Sequence, residues 1–173
     1  MLSKKEIKKL TAKIRSDQRV SKSNTLYEAG DTFQGLFVAK SGSFKSTLTA
    51  DDGAEQIVSF YMPGELIGLD GYGTIHSATI TALEDSSVCM IPQRSLEELM
   101  FSIKGVAHYL QTHVAQELSA QNQLKLLIAR KSAEERIVCF IKNMSYRFAQ
   151  RGISATDFTL SMSRGDIANF LGK

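Results

Sequence analysis

The chain has 173 residues, 43% of them hydrophobic and 23% charged, with two prolines and a formal net charge of +3. That length suits one domain plus at most a small second one, and the composition excludes a disordered tail, a collagen-like repeat and a proline-rich linker. No apolar run approaches the roughly 20 residues of a bilayer span, and the first residues are charged where a secretory leader is apolar, so a cytoplasmic protein without membrane contact is expected.

The charge is uneven, at +6 over residues 1–22, −5 over 23–131 and +2 over 132–173. The basic excess lies at the start, where Lys4, Lys5, Lys8, Lys9 and Lys13 flank Ile7, Leu10 and Ile14 at the spacing of an amphipathic helix with a solvated basic face. From residue 23 to about 92 short strands follow one another. Leu26–Glu28, Leu36–Ala39, Phe44–Leu48, Gln56–Tyr61, Ala78–Ala82 and Val88–Ile91 alternate or cluster apolar residues, with Gly30, Gly42, Asp51-Asp52-Gly53 and Pro63-Gly64 as turns between them. Eight of the twelve glycines fall between positions 30 and 73. Regular short strands with glycine turns predict an antiparallel sandwich or barrel, since doubling or closing the sheet buries one face.

After Pro92 the period changes. Ile103, Ala107, Leu110, Val114, Leu118, Gln121, Leu124 and Ile128 recur every three or four residues in a stripe too narrow for a globular core face, which predicts a seam against a second helix. Packing on the chain's own β-domain is the competing use of that stripe. Ser132-Ala133-Glu134-Glu135 reads as a capping box that opens a further helix, with Ile137, Val138, Phe140, Ile141, Met144 and Phe148 as its buried face and Arg151-Gly152 as its end. A short alternating strand is expected over Asp157–Ser161. Ser163-Arg164-Gly165-Asp166 then starts a last helix, with Ile167, Phe170 and Leu171 apolar. Cys89 and Cys139 are too isolated for a disulfide framework or a self-contained zinc site; both are expected to be reduced thiols in apolar surroundings.

This order of elements, with Ala133-Glu134-Glu135-Arg136, Arg147-Phe148-Ala149-Gln150-Arg151-Gly152 and the run from Phe158 to Gly172, resembles the Crp/Fnr family of bacterial transcription regulators, and the Fnr branch in particular. Tyr61-Met62-Pro63-Gly64-Glu65 and Gly30, Gly42, Gly64 and Gly68 also fit that family's sensor domain. The resemblance implies an α+β fold: an N-terminal antiparallel β-roll of the cyclic-nucleotide-binding jelly-roll type, a long dimerisation helix and an incomplete C-terminal winged helix-turn-helix. The expected divisions are 1–100 for an N-terminal helix plus sensor roll, 101–131 for the dimerisation helix and 132–173 for the truncated DNA-binding domain.

Relatives that bind cyclic nucleotides use a Gly-Glu pair for the ribose and an Arg-Ser pair for the phosphate. Here the corresponding residues read Gly64-Glu65 and His76-Ser77, so the effector-pocket candidates are Gly64, Glu65, Leu66, Gly68, His76 and Ser77. A buried phosphodiester needs a permanent counter-charge, which histidine does not supply at neutral pH, and this disfavours a cyclic nucleotide. The Fnr branch holds an iron–sulfur cluster through three N-terminal cysteines and one in the roll. Only Cys89 matches, as a remnant ligand, so no metal or cofactor is expected here; a cluster is expected only if a cysteine-bearing segment precedes Met1 in the whole protein.

The implied partners are a second copy of the chain across the seam residues and, for the full-length protein, a double-stranded DNA operator and RNA polymerase. Ser163, Arg164 and Asn169 fall in the DNA-binding region, but the helix that would read bases is missing, so operator recognition is expected to be incomplete. Asp51, Asp52, Gly53 and Glu55 resemble the family's polymerase-contacting loop. The alternative is a dimerisation or ligand-binding module without DNA binding, acting by pairing with an intact relative. Nothing proposes an enzyme: P-loop, dinucleotide fingerprint, nucleophile elbow and zinc-protease motifs are all absent, and His108 and His113 do not share a helix face.

Overall fold

The computed structural model describes residues 13–173, so most of the basic N-terminal segment, Lys4 to Leu10 included, lies outside the described residues. The chain divides into two compact units, one ending at Glu117 and the other running from Leu118 to Lys173.

The first unit is a roll of two four-stranded antiparallel sheets. Its strands are β1 (Arg15–Val20), β2 (Thr25–Tyr27), β3 (Gly35–Ser41), β4 (Phe44–Thr49), β5 (Glu55–Tyr61), β6 (Leu66–Ile67), β7 (Thr79–Ala82) and β8 (Ser86–Pro92). They are ordered β1-β8-β3-β6 in one sheet and β2-β7-β4-β5 in the other. The period-2 pattern places alternate residues on opposite faces. Phe37 and Ala39 of β3 and Val88 of β8 face inward, meeting Tyr27, Phe44, Ile80 and Ala82 of the other sheet. Leu36 and Ile91 point the other way, onto α1 (Gln93–Ser102) and the start of α2 (Lys104–Arg130), where Leu96, Leu99, Ile103, Val106 and Leu110 close a second core. The central pair β3–β8 is thereby covered on both sides.

All six strands expected in the roll are present. Two more were not foreseen, the polar edge strand β1, which pairs with β8, and the two-residue β6, which pairs with β3. The seam reading is corrected at its near end. Ile103 is an extended residue between α1 and α2, 2% exposed, and Leu110 is buried beside it, so both turn into the chain's own roll. Neither is available to a partner, because Phe33, Leu36 and the helix α1 already cover them.

In the second unit, α3 (Ala133–Ala149) and α4 (Arg164–Phe170) both open on complete capping boxes, Ser132 with Glu135 and Ser163 with Asp166. Gly152, at φ 73°, takes the left-handed turn that ends α3. Phe140, Met144, Met162 and Leu171 are buried; Phe140 packs on Phe170 and Phe148 stacks on Phe158. Ile137, Val138 and Ile141 belong to the exposed face instead, and so does Cys139, which corrects the expectation of a core thiol. The stretch Asp157–Ser161 forms no strand, since no described segment pairs with it; Phe158 is held by a ring contact and not by a ladder.

Candidate functional site

The effector-pocket candidates fall into two places. Gly64 and Glu65 form the turn between β5 and β6, and the Glu65 carboxylate folds back to accept from the Met62 amide at 2.9 Å. The Gly64 amide donates to Ala39 O and the Ala39 amide to Glu65 O, which ties the turn to β3. Leu66 belongs to the core beneath α1. Gly68, in left-handed conformation at φ 107°, starts the single 3-10 turn Leu69–Gly71 and lies against the ring of His76, where an added methyl would come within 3.6 Å of Cε1.

His76 is not a free loop side chain. Its ring is 2% exposed, stacked on Tyr27 at 3.6 Å between centroids and tilted against Phe33 at 5.7 Å. Nδ1 lies 3.3 Å from Oδ1 of Asp70; a carboxylate offers acceptors only, so Nδ1 carries the shared proton. The Tyr27 hydroxyl donates to the same oxygen at 2.9 Å, and the backbone amides of Ser77 and Ala78 donate to Oδ2 at 3.0 and 3.2 Å. Burial, and then the nearby Asp70 charge, push the Tyr27 hydroxyl far above the ordinary phenol range. Gly71 has to be glycine here: a methyl would meet His76 Nδ1 at 2.5 Å. Asp70 and Tyr27 are the partners of His76 that the sequence pattern does not announce. The available signal was a lone carboxylate between two glycines, Gly68 and Gly71, in a loop with few other anchors.

Cys89 sits half-buried on β8, its thiol donating to Asp17 Oδ1 at 3.4 Å, while Lys40 pairs with the other oxygen of Asp17. The small buried hydrophobe expected there is thus a half-exposed thiol with a carboxylate acceptor. Burial and the Asp17 carboxylate raise the Cys89 thiol above its usual value; the Lys40 ammonium holds Asp17 below its own. These residues do not fit an iron–sulfur cluster. The sequence holds two cysteines where four ligands are needed, one in each unit, and no group of three or more metal-ligating side chains forms among the described residues.

Asp51, Asp52 and Gly53 lie in the exposed turn between β4 and β5 and Glu55 opens β5; the Ala50 amide donates to Ala54 O and the Ala54 amide to Asp52 Oδ1. Along α2, Ala107, Gln121, Leu124 and Ile128 are half-buried, whereas Val114 and Leu118 are 52% and 62% exposed. In the second unit Ser163 caps α4, Arg164 is exposed and Asn169 half-buried. Arg136 is the joint of that unit. Its guanidinium donates to Ile128 O at 2.6 Å, Lys131 O at 3.0 Å and Leu171 O at 2.8 Å, and so grips the ends of α2 and α4 together.

The family model described as the cyclic nucleotide-binding domain matches residues 17–102. The fumarate nitrate reduction regulatory protein of Klebsiella oxytoca is 38% identical over 172 residues, covering 99% of this chain and 69% of the relative. The corresponding fumarate and nitrate reduction regulatory protein of Escherichia coli K12 matches with the same identity and coverage. Among solved structures, FixK2 from Bradyrhizobium japonicum superposes with a TM-score of 0.79 at 29% identity, over 91% of this chain and 77% of its own. A transcriptional regulator of the crp/fnr family from Eubacterium rectale shares the fold, with a TM-score of 0.70 at 23% identity over 99% of this chain and 77% of its own.

Proposed function

Since the chain belongs to the Crp/Fnr family of transcription regulators, we propose that its roll senses an effector other than a cyclic nucleotide and passes the signal along α2 to the helical unit that engages DNA. The observation that carries this reading is the exposed apolar part of α2. Val114 and Leu118 leave aliphatic surface in water on a single helix that begins beside the roll's core and ends on Arg136. A second copy of the same helix covers that surface through Ala107, Val114, Leu118, Gln121, Leu124 and Ile128, with Gln121 fixing the register. Ile103 and Leu110 take no part.

The DNA and polymerase roles follow from the family. Ser163, Arg164 and Asn169 support the helix-turn-helix on a double-stranded operator, through phosphate contacts that position without specifying sequence. The acidic hairpin Asp51, Asp52, Gly53, Glu55 is the proposed contact for RNA polymerase. Against a cyclic nucleotide stands the chemistry at His76 and Ser77: the ring is stacked and already engaged with a carboxylate, and offers no fixed positive charge to a phosphodiester.

Sedimentation velocity tests the dimer. The wild type is expected to sediment as a dimer at micromolar concentration and Leu118→Asp as a folded monomer. A wild-type monomer, or a Leu118→Asp dimer, overturns the proposal.

A further inference from the structure

We propose that Asp70 is an internal anion that fills the chain's own anion site, the successive backbone amides of Ser77 and Ala78, so that the loop from Gly68 to Ala78 is fastened without a ligand. This inference deepens the reading of the roll as a sensor that takes no cyclic nucleotide, and it rests on that reading.

Two consecutive backbone N–H groups converging on one point form a site for an anionic oxygen, whether that oxygen belongs to a phosphate or a carboxylate. In this loop both amides converge on Oδ2 of Asp70, at 3.0 and 3.2 Å. The other oxygen takes the Tyr27 hydroxyl at 2.9 Å and faces His76 Nδ1 at 3.3 Å. Four donors drawn from β2 and from the far end of the loop therefore surround one carboxylate, in the charge-assisted arrangement that a bound anion would otherwise complete. The loop is shaped around this contact. Gly71 leaves no room for a side chain because the His76 ring lies where its methyl would go, and Gly68 adopts the left-handed turn that brings Asp70 back toward Ser77.

A tethered carboxylate only seven residues from its amides competes at an effective concentration of at least about millimolar, and its charge repels any second anion. Free phosphate or a nucleotide has to displace it and leave Asp70 without its donors. The loop is thus fastened by its own carboxylate, and effectors act on this roll at some place other than the Ser77–Ala78 amides.

The test uses the whole chain and follows thermal melting together with the Ser77 and Ala78 amide resonances. In the wild type, inorganic phosphate up to tens of millimolar, against sodium chloride of equal ionic strength, is expected to move neither. Asp70→Ala should melt about 5 °C lower. Sodium acetate or phosphate at tens of millimolar should restore at least half of that loss and shift both amides. A variant as stable as the wild type, or one that responds to acetate no better than to chloride, overturns the inference. So do wild-type amides that move with millimolar phosphate. If Asp70→Ala does not fold, Asp70→Asn keeps the shape with a weaker acceptor: both amide protons should move upfield, and unmoved resonances refute the contact. Cyclic AMP is the separating control. Saturable binding to the wild type overturns both the inference and the reading of the roll, whereas failed anion rescue with cyclic AMP silent overturns the inference alone.

Discussion

Replacing Arg136 removes three charge-assisted hydrogen bonds at once, to Ile128 O, Lys131 O and Leu171 O. Bonds to a charged partner are each worth about 1.5–3 kcal/mol, and a cation at a helix C-terminus adds about 0.3–1 kcal/mol. Arg136 is half-buried, and water re-bonds part of what it leaves behind, so the expected loss falls below the roughly 5 kcal/mol at the lower end of that sum. Arg136→Ala is expected to destabilise the second unit by about 3 kcal/mol. Arg136→Lys keeps the charge but not the planar fork; an ammonium cannot serve three carbonyls spread around one guanidinium, so about half of the loss should remain. Urea unfolding followed by circular dichroism at 222 nm measures both, since α2, α3 and α4 carry most of that signal and the chain has no tryptophan. If the second unit unfolds separately from the roll, the variant adds an early helical transition and leaves the later one in place. An Arg136→Ala unfolding free energy within about 0.5 kcal/mol of the wild type, or an Arg136→Lys value equal to it, refutes the joint.

Alkali probes the roll. Burial raises the Tyr27 and Tyr61 hydroxyls above the usual phenol value, so near pH 10 and above the unfolded chain releases protons that the folded one keeps. Stability is therefore intact below about pH 10 and falls above it by up to ~1.4 kcal/mol per pH unit for each tyrosine; absorbance at 295 nm should show two of the five tyrosines ionising only on unfolding. Gly71→Ala drives a methyl to 2.5 Å from a ring pinned against Tyr27 and should cost about 2–3 kcal/mol in urea, and a neutral result would mean the ring is free to move. Iodoacetamide should modify the exposed Cys139 about tenfold faster than Cys89, whose thiol is raised and bonded to Asp17; mass spectrometry of the two peptides gives the ratio, and equal rates contradict the half-buried site.

Local signals carried most of the architecture. Asp51-Asp52-Gly53 and Pro63-Gly64 are turns because glycine reaches φ values that other residues avoid, and the Ser132 and Ser163 boxes start helices because a hydroxyl and a carboxylate satisfy amides three residues apart. What sequence pattern does not reveal is which apolar face meets which neighbour. α3 carries two such faces, and Phe140 and Met144 are covered while Ile137, Val138 and Ile141 are not. Ile103 and Leu110 share the period of Val114 and Leu118 but are claimed by Leu36 and Ile91 of the roll, a long-range contact that periodicity cannot encode. β1 escaped notice because an edge strand buries little: of Asp17, Gln18, Arg19 and Val20, only Val20 reaches the core. The site was half legible. His76 stood out by its departure from the arginine of nucleotide-binding relatives, whereas Asp70, its partner six residues earlier, has no spacing rule that announces it.

The strand order leaves four sheet margins, and each is unsuited to recruiting a foreign strand. β6 is two residues long and β2 three, too short to template a fibril, while β5 opens with the exposed pair Glu55-Gln56 and β1 sets Asp17 and Arg19 on the outermost row. Sheets with such borders resist edge-to-edge pairing even when crowded, which leaves the proposed self-association to the exposed Val114 and Leu118 of a helix and not to a strand.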